Sequence, residues 1–249
     1  MEPILSVEHL RRDYGGRGSV THAVDDVSFS VERGEFVGIM GASGSGKSTL
    51  LNCIATIDTP TAGHIRVEGQ DVTALKGRSL SRFRRERLGF VFQDCNLLDT
   101  LTAFENIALA LTIRGTPAGE IEGRVKETAE LLGITDCLNK YPYQMSGGQR
   151  QRTAAARAII TDPALVLADE PTGALDSHTG REVLTMLQQL HAAGNTVVLI
   201  THDNSIAVQA QRIIRLEDGQ VVYDGDSHAP EAMVQPTLLP ETPEKEEQA

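Results

Sequence analysis

The sequence predicts an α/β fold, in which helices cover a parallel β-sheet and a group of short strands precedes it. The first observation behind this prediction is the succession of a strand, a glycine-rich loop and a helix over residues 35–54. The second is the alternation that begins at residue 164, where the apolar runs 164–168 and 196–200 flank a helical segment at 178–192. The third is the predominance of short strand-like runs in residues 1–70.

Composition and charge argue against several classes of protein. Of the 249 residues 40% are hydrophobic, but no run approaches about 18 consecutive apolar residues, so no membrane-spanning helix is expected. The start, Met1-Glu2-Pro3, lacks the basic and apolar regions of a signal peptide. The cysteines, Cys53, Cys95 and Cys137, are odd in number and widely spaced, which argues against a disulfide framework or a zinc site and suits a reducing cytosol. A net charge of −11 argues against a surface that wraps nucleic acid.

The remaining elements follow from periodicity and turn residues. The strand-like runs lie at 4–10, 24–31, 35–40, 64–67, 88–92, 164–168, 196–200, 212–216 and 220–223, and the helical segments at 50–54, 102–113, 119–132, 146–160 and 178–192. A glycine-rich link at 15–18 separates the first two strands, and Asp218-Gly219 joins the last two into a hairpin. The basic run at 76–87 is either a binding patch or, more commonly, the solvated face of a helix. Residues 227–249, rich in Pro and Glu, are expected to form a disordered acidic tail.

The loop of the first observation, Gly41-Ala42-Ser43-Gly44-Ser45-Gly46-Lys47-Ser48-Thr49, fits the pattern G-x-x-x-x-G-K-[ST] of phosphate-binding loops. We call residues 41–49 the phosphate loop. Its glycines let consecutive backbone N–H groups turn around a phosphate, and the following helix adds its positive N-terminal end. Lys47 is then expected to reach the β- and γ-phosphates, and the Ser48 hydroxyl to bind Mg²⁺. The alternative is a glycine-rich turn that matches by accident, which the flanking strand and helix argue against.

Two apolar strands end in polar residues that suit nucleotide chemistry. Asp169-Glu170 follows the run 164–168, and Thr201-His202 follows the run 196–200. Because the carboxyl ends of parallel strands meet at one edge of a sheet, we expect these residues beside the phosphate loop. An acid in this place can bind Mg²⁺, and a second can deprotonate the attacking water. Both observations have ordinary alternatives, since strands often end in charged turns and a single histidine is more often structural than catalytic.

A second anion-binding pattern lies in the segment Met145-Ser146-Gly147-Gly148-Gln149-Arg150-Gln151-Arg152. Ser-Gly-Gly-Gln at the start of a helix combines free N–H groups with a hydroxyl. A monomer that already holds phosphates in the phosphate loop has no evident need for this site. The segment resembles the signature sequence of ABC-type ATPases, with Met145 in place of the usual leading Leu.

The resemblance covers roughly residues 4–225, and its seven motifs occur in the family's order. It implies that Tyr14 stacks on adenine, that the phosphate loop is the Walker A motif and that Gln93 contacts Mg²⁺ and the attacking water. It also implies that residues 165–170 are the Walker B motif with Glu170 as the base. Residues 174–176 resemble the D-loop, and His202 resembles the switch histidine that touches the γ-phosphate. By this resemblance the catalytic residues are Lys47, Gln93, Glu170 and His202, the metal ligands are Ser48, Gln93 and Asp169, and ATP contacts Tyr14, Gly41, Ser43, Gly44, Ser45, Gly46, Lys47, Ser48, Thr49, Ser146, Gly147, Gly148 and Gln149.

The same resemblance implies the architecture and the partners. Residues 1–226 are expected to form one ATPase domain, a P-loop NTPase with a RecA-like core. An N-terminal antiparallel β-subdomain and an inserted α-helical subdomain at about 95–160 would complete it. The chain is expected to hydrolyse ATP with Mg²⁺ and to form a head-to-tail dimer with ATP at the interface. It would lie on the cytoplasmic face of the membrane through a separate permease, without a nucleic-acid partner.

The amino-acid sequences of the motifs also resemble those of one branch of the family, that of macrolide export, lipoprotein release and bacitracin resistance. Residues 93–106 look most like ATPases of transporters that detoxify peptide antibiotics, except that Cys95 replaces a more usual Phe. The resemblance thus implies the export or detoxification of antimicrobial peptides or antibiotics. Two alternatives remain: an ABC ATPase of DNA repair or of the ribosome, and a membrane complex that transmits a conformational signal. The spacing of about 100 residues between the Walker A and signature motifs argues against the first.

Overall fold

The computed structural model describes residues 2–16, 19–92, 94–173 and 177–234, without the side chains of 177–179. The strands are β1 (Leu5–Gly16), β2 (Ser19–Val31), β3 (Phe36–Met40), β4 (Ala62–Val67), β5 (Gln70–Asp71), β6 (Leu88–Phe92), β7 (Leu165–Asp169), β8 (Val197–Thr201), β9 (Arg212–Glu217) and β10 (Gln220–Asp226). The α-helices are α1 (Lys47–Ile54), α2 (Gly77–Arg87), α3 (Ala103–Arg114), α4 (Ala118–Leu131), α5 (Gly147–Ile159), α6 (Ser177–Ala192) and α7 (Asn204–Ala207). The predicted α/β class is confirmed.

A six-stranded sheet forms the centre of the fold, in the order β10-β9-β3-β8-β7-β6. Strands β9, β3, β8, β7 and β6 run parallel, and only β10 pairs antiparallel, with β9. Every residue of β3 and β8 is buried, as expected for strands that helices cover on both faces. The carboxyl ends of β3, β7 and β8 therefore lie at one edge, where the sequence predicts the nucleotide site.

A second sheet, in the order β2-β1-β4-β5, contains the N-terminal strands. Its first hairpin is longer than predicted, because β1 and β2 stay paired out to Gly16 and Ser19. The extension is polar rather than alternating, and polar side chains contact each other across the two strands. The Nδ1 atom of His22 lies 2.7 Å from Asp13, and Arg11 lies 3.3 Å from Asp25. A search for hydrophobic periodicity does not detect such a pair of strands.

Helices α3, α4 and α5 lie between β6 and β7 in the chain and match the predicted segments within a few residues. Their buried side chains, such as Leu111 and Val125, belong to the same hydrophobic cluster as Val166 and Leu199 of the sheet. The basic run forms α2, in which Phe83 alone is buried, so its basic side chains lie at the surface, as both interpretations of the run require. None of the helices in the described ranges combines the length and the apolar character that a bilayer-spanning segment needs.

The structure differs from the prediction at the C-terminal boundary, because residues 227–234 follow β10 in a defined conformation. Ser227 and Ala232 are fully buried. The side chain of Asn204 in α7 donates to the Val234 carbonyl at 3.0 Å and accepts from the Val234 N–H at 2.9 Å. The same segment lines, with the phosphate loop and Arg215, a cavity of about 790 Å³. The Pro- and Glu-rich composition obscures these few apolar residues, and residues 235–249 lie outside the described ranges.

Candidate functional site

The phosphate loop connects the carboxyl end of β3 to α1, as predicted. Gly46 precedes the helix with φ 97°, and a Cβ atom there would lie 2.1 Å from the Ala23 carbonyl oxygen. A Cβ atom on Gly41 would lie 2.3 Å from Ser45 Oγ. Helix α1 has no side-chain cap and no acidic residue in its first turn. Its first N–H groups thus remain available to an anion.

Lys47 is the buried cation of the loop, with 6% of its surface exposed. Its Nζ donates to the carbonyl oxygens of Gly41 and Ala42 at 2.8 and 2.7 Å. Burial lowers the pKa of Lys47, while the negative charges of Glu170 and Asp169 act in the opposite direction. Ser45 Oγ is also buried and has no hydrogen-bond partner within the described part of the chain. A buried ammonium held by carbonyls and a buried hydroxyl without a partner are both features that a bound phosphate would satisfy.

The other predicted loop residues are accessible to a ligand. Ser43, Gly44 and Ser48 are exposed, and Thr49 is half-buried. The carbonyl of Ala42 accepts a hydrogen bond from Lys47 Nζ, but Ala42 was not among the predicted site residues. Sequence motifs identify functional side chains, whereas this contact is made by the backbone.

The predicted acids and the histidine lie together at the edge of the sheet. The Nδ1 atom of His202 lies 3.0 Å from Glu170 Oε2. An ionised carboxylate has no proton to donate, so any proton shared by this pair is carried by Nδ1 of His202. Burial, and after it the charge of Glu170, raises the pKa of Asp169, whereas Lys47 acts to lower it. The structure thus brings Lys47, Asp169 and Glu170 within electrostatic reach of one another and places His202 beside Glu170.

Glu170 occupies an unusual backbone conformation, with φ 41°. Its N–H donates to the Ile200 carbonyl of β8 at 3.0 Å, and its own carbonyl accepts from Gly173 at 3.0 Å. A residue other than glycine in the left-handed region costs free energy and persists when its surroundings hold it there. The chain therefore turns sharply at the residue predicted to be the base.

The second predicted anion site begins helix α5. Ser146 Oγ accepts from the Gln149 N–H at 3.2 Å, and Gln149 Oε1 accepts from the Ser146 N–H at 3.1 Å, which is a capping box. The Ser146 hydroxyl proton remains available for donation, and the first turn of α5 contains no acidic residue. Ser146 is exposed and Gly148 is buried. Among the described residues, no hydrogen bond joins 146–149 to the phosphate loop.

Tyr14 lies in the N-terminal sheet, near the end of β1. Its hydroxyl donates to Asp58 at 2.5 Å, and the guanidinium of Arg12 lies 4.5 Å from the centre of its ring. Tyr14 is partly exposed, so a planar base has access to the ring. Gln93 and residues 174–176, which were predicted to contact Mg²⁺ and to form the D-loop, lie outside the described residues.

Sequence reasoning assigned no role to Gln151, although it lies within the quoted signature segment. Its side chain is fully buried and donates to the carbonyls of Phe92 and Pro171 at 2.9 and 3.3 Å. The available signal was its spacing: Gln151 shares one face of α5 with Ala154, Ala155 and Ala158, and a long polar residue on a buried face needs a partner.

The comparisons with known proteins agree on one family. The family model described as ABC transporter matches residues 24–173. The macrolide export ATP-binding/permease protein MacB of Aggregatibacter actinomycetemcomitans is 45% identical over 221 residues, which cover 89% of this chain and 34% of that protein. The bacitracin export ATP-binding protein BceA of Halalkalibacterium halodurans is 46% identical over 227 residues, which cover 90% of both proteins. The chain thus spans about a third of the length of the MacB relative.

The solved structures give the same result. The ATP-binding cassette MJ0796, in a structure described as the dimeric post-hydrolysis state bound to ADP and Pi, is 38% identical with a TM-score of 0.79. The alignment covers 90% of this chain and 99% of that one. A structure of cbiO1 from Clostridium perfringens, described as part of an ABC transporter complex, has a TM-score of 0.81 at 28% identity and covers 91% of this chain and 90% of that one. The two sequence relatives are described as export proteins, and neither is described as a signalling protein.

Gly46 and Gly44 provide a matched test of the loop geometry. Both have a positive φ, 97° and 83°, but a Cβ atom has nothing within 4 Å at Gly44 and overlaps the Ala23 carbonyl at Gly46. We expect Gly44→Ala to lower the free energy of unfolding of the ligand-free protein by about 1–2 kcal/mol, the cost of the backbone conformation. Gly46→Ala should cost at least ~3 kcal/mol, since the loop must also move away from β2. Denaturant melts of both variants measure the difference, and equal losses would mean that the contact with Ala23 is unimportant.

Proposed function

Because this chain belongs to the ABC transporter family, as one of its ATP-binding and ATP-hydrolysing cassettes, we propose that it drives a membrane permease that exports an antibiotic or a peptide. The export of macrolides or bacitracin in the names of the two sequence relatives supports the substrate class. A permease partner would place the chain at the cytoplasmic face of the membrane. The alternative of a signalling complex has no observation in its favour.

The observation that carries the ATPase proposal is the buried Lys47, which lies within electrostatic reach of Asp169 and Glu170. The phosphate groups of ATP would replace the loop carbonyls as the partners of Lys47 Nζ and would supply an acceptor for Ser45 Oγ.

The exposed Ser48 hydroxyl and the Asp169 carboxylate are oxygen donors of the kind that Mg²⁺ prefers, so the residues present fit this ion. When bound, Mg²⁺ would neutralise charge on the phosphate oxygens. Lys47 would hold the phosphates, and Ser48 and Asp169 would hold Mg²⁺.

Glu170 is the proposed base. It would take the proton of the attacking water, while His202, whose Nδ1 lies 3.0 Å from the carboxylate, would help to orient it. His202 Nε2 would then be directed towards the γ-phosphate. The unusual φ of Glu170 fits this role, since a strained residue at the end of a sheet strand is typical of functional sites.

We propose that the complete site requires a second copy of the chain. The phosphate loop and the start of α5 are two anion sites with no hydrogen bond between them among the described residues, yet one ATP has one γ-phosphate. In a head-to-tail dimer, Ser146 and Gly148 of one copy would cap the ATP that Lys47 of the other copy holds. The dimeric form of the structural relative supports this arrangement.

The proposed contact with the permease is a groove of about 490 Å³ between α2–β6 and α3–α5. Its apolar walls are formed by Phe90, Phe92, Leu109, Ala110 and Ile113, and Arg84 and Arg85 lie on its rim. An apolar helix that carries acidic residues complements both the walls and the rim. We propose that a helix of the permease with this character binds there.

Glu170→Gln separates binding from hydrolysis. The amide keeps the shape of the side chain and can still accept from His202, but it cannot take a proton from water. We expect ATP to bind with near wild-type affinity and hydrolysis to fall at least ~100-fold. Light scattering of this variant should show a dimer with Mg-ATP and a monomer with Mg-ADP. Near-normal hydrolysis would mean that another group activates the water.

A mixing experiment tests the shared site. Lys47→Ala should lower hydrolysis at least ~100-fold by removing the cation on the phosphates. Ser146→Arg should abolish it by blocking the partner's ATP. In a mixed dimer one site carries both lesions and the other carries none, so random pairing leaves about a quarter of all sites intact. We expect mixing to restore up to this share of wild-type turnover. If heterodimers form and restore nothing, the two sites are not independent.

The groove can be tested with two equally exposed isoleucines. Ile113, in the groove, is 57% exposed and Ile57, outside it, is 55% exposed. Neither Ile113→Glu nor Ile57→Glu should unfold the chain. We expect Ile113→Glu alone to reduce co-purification with the proposed permease, because the new carboxylate would lie against the apolar and acidic side chains of the permease helix. Equal retention by both variants would contradict this docking site.

A further inference from the structure

Gln151 lies in helix α5, one turn after the proposed cap at Ser146–Gln149. Its side chain is fully buried, and every polar atom of its amide has a partner. Nε2 donates to the carbonyls of Phe92 and Pro171, and Oε1 accepts from the Cys95 thiol. Two carbonyls can only accept, so this arrangement fixes which way the amide faces. A buried amide with all of its hydrogen bonds made is rigid, and it is costly to disturb.

The backbone groups that Gln151 holds are not ordinary loop positions. Phe92 ends β6, pairs with Asp169 of β7 and immediately precedes Gln93 in the sequence. Pro171 immediately follows Glu170, whose φ of 41° reverses the chain. One side chain of α5 therefore fixes the backbone beside the proposed base and the backbone beside the proposed Mg²⁺ contact.

Helix α5 holds the far side of position 93 as well. Arg157 donates to the carbonyls of Cys95 and Asn96 at 2.9 and 2.7 Å. Both of these residues have a positive φ, 57° and 47°, a conformation that needs support. Burial raises the pKa of the Cys95 thiol, so the proton that it donates to Gln151 stays in place.

We propose that Gln151 is a positioning residue for ATP hydrolysis, which ties the signature helix to the peptide after Glu170 and to the end of β6. The proposal rests on the proposed ATPase function. Gln151 would not touch ATP. It would hold Glu170 at the distance from the phosphate loop at which its carboxylate meets the attacking water.

Gln151→Glu is the sharpest variant, because it keeps the size of the side chain and places a carboxylate oxygen against two carbonyl oxygens. We expect kcat to fall at least ~10-fold, since small displacements of a catalytic group are costly. The KM for ATP should stay within about twofold, because Gln151 contributes no contact with the nucleotide. Gln151→Met lacks both donors but adds no charge. It should also lower kcat while leaving the KM for ATP nearly unchanged, and the loss of kcat should be smaller. Cys95→Ser should keep near wild-type turnover because it keeps a donor to Oε1.

The matched control is Asn106, a fully buried amide that donates to the carbonyls of Leu98, Leu101 and Thr102 at the start of α3. Asn106→Asp makes the same chemical change as Gln151→Glu without contact with Phe92 or Pro171. If Gln151 has a merely structural role, the loss of kcat will follow the loss of thermal stability in both variants alike. The proposal requires that Gln151→Glu lose much more kcat than Asn106→Asp at an equal loss of stability.

Hydrogen exchange of the nucleotide-free protein supplies a readout that does not depend on turnover. Gln151→Glu should speed the exchange of the amides of Glu170, Thr172 and Gly173 together with those at 94–96, and Asn106→Asp should speed exchange near 98–106 only. Unchanged exchange at 170–173 in Gln151→Glu would overturn the proposal, whether or not the wild type hydrolyses ATP. If Gln151→Glu shows the expected exchange pattern but the wild-type protein does not hydrolyse ATP, the proposed function is contradicted instead.

Discussion

The site depends on a buried cation that, among the described residues, has no carboxylate in direct contact. The Nζ atom of Lys47 is held by two carbonyls of its own loop and lies in the field of two strand-end acids. Removing an ammonium from water is expensive, and two neutral oxygens only partly compensate it. A phosphate can restore the missing charge, so the loop is organised for an anion before one arrives. The glycines at 41 and 46 permit this geometry, because a side chain at either position would overlap the neighbouring backbone or Ser45.

The two acidic residues of the site are also in an environment that a ligand would stabilise. Asp169 and Glu170 are adjacent, and their mutual repulsion and burial act against the ionised form of Asp169. Lys47 offsets this in part, and a divalent cation would offset it further. The acids and the lysine thus stabilise one another at a distance, and each remains available to a ligand. The parallel order of β3, β8 and β7 brings them together, since the loop that carries Lys47 follows β3, Asp169 ends β7 and Glu170 follows it.

The sequence predicts most of this arrangement, because the motifs identify the site residues and the apolar runs identify the strands that position them. The phosphate loop, the strand-end acids and His202 are identified by residue type and spacing, and the strands between them are continuous apolar runs. Three features remain undetected for physical reasons. The end of the first hairpin has polar contacts such as Asp13–His22 instead of an apolar face. The segment 227–234 packs through a few small residues and one Asn204 contact. Gln151 acts on backbone carbonyls that belong to residues far away in sequence, and a single sequence does not show these contacts.

The position of Gln151 has a further consequence for the proposed dimer. In that dimer the start of α5 would face the ATP of the other copy, while the side chain of Gln151 donates to the carbonyl of Pro171, next to Glu170 of its own copy. A displacement of the start of α5 would therefore be transmitted through Gln151 to the backbone beside Glu170 of the same copy. Capping of one ATP and alignment of the base at the other site would then be coupled. Because such coupling is reciprocal for binding, the ATP in either site would stabilise the closed geometry of both. Two sites built in this way would act as a pair even without direct contact between the nucleotides.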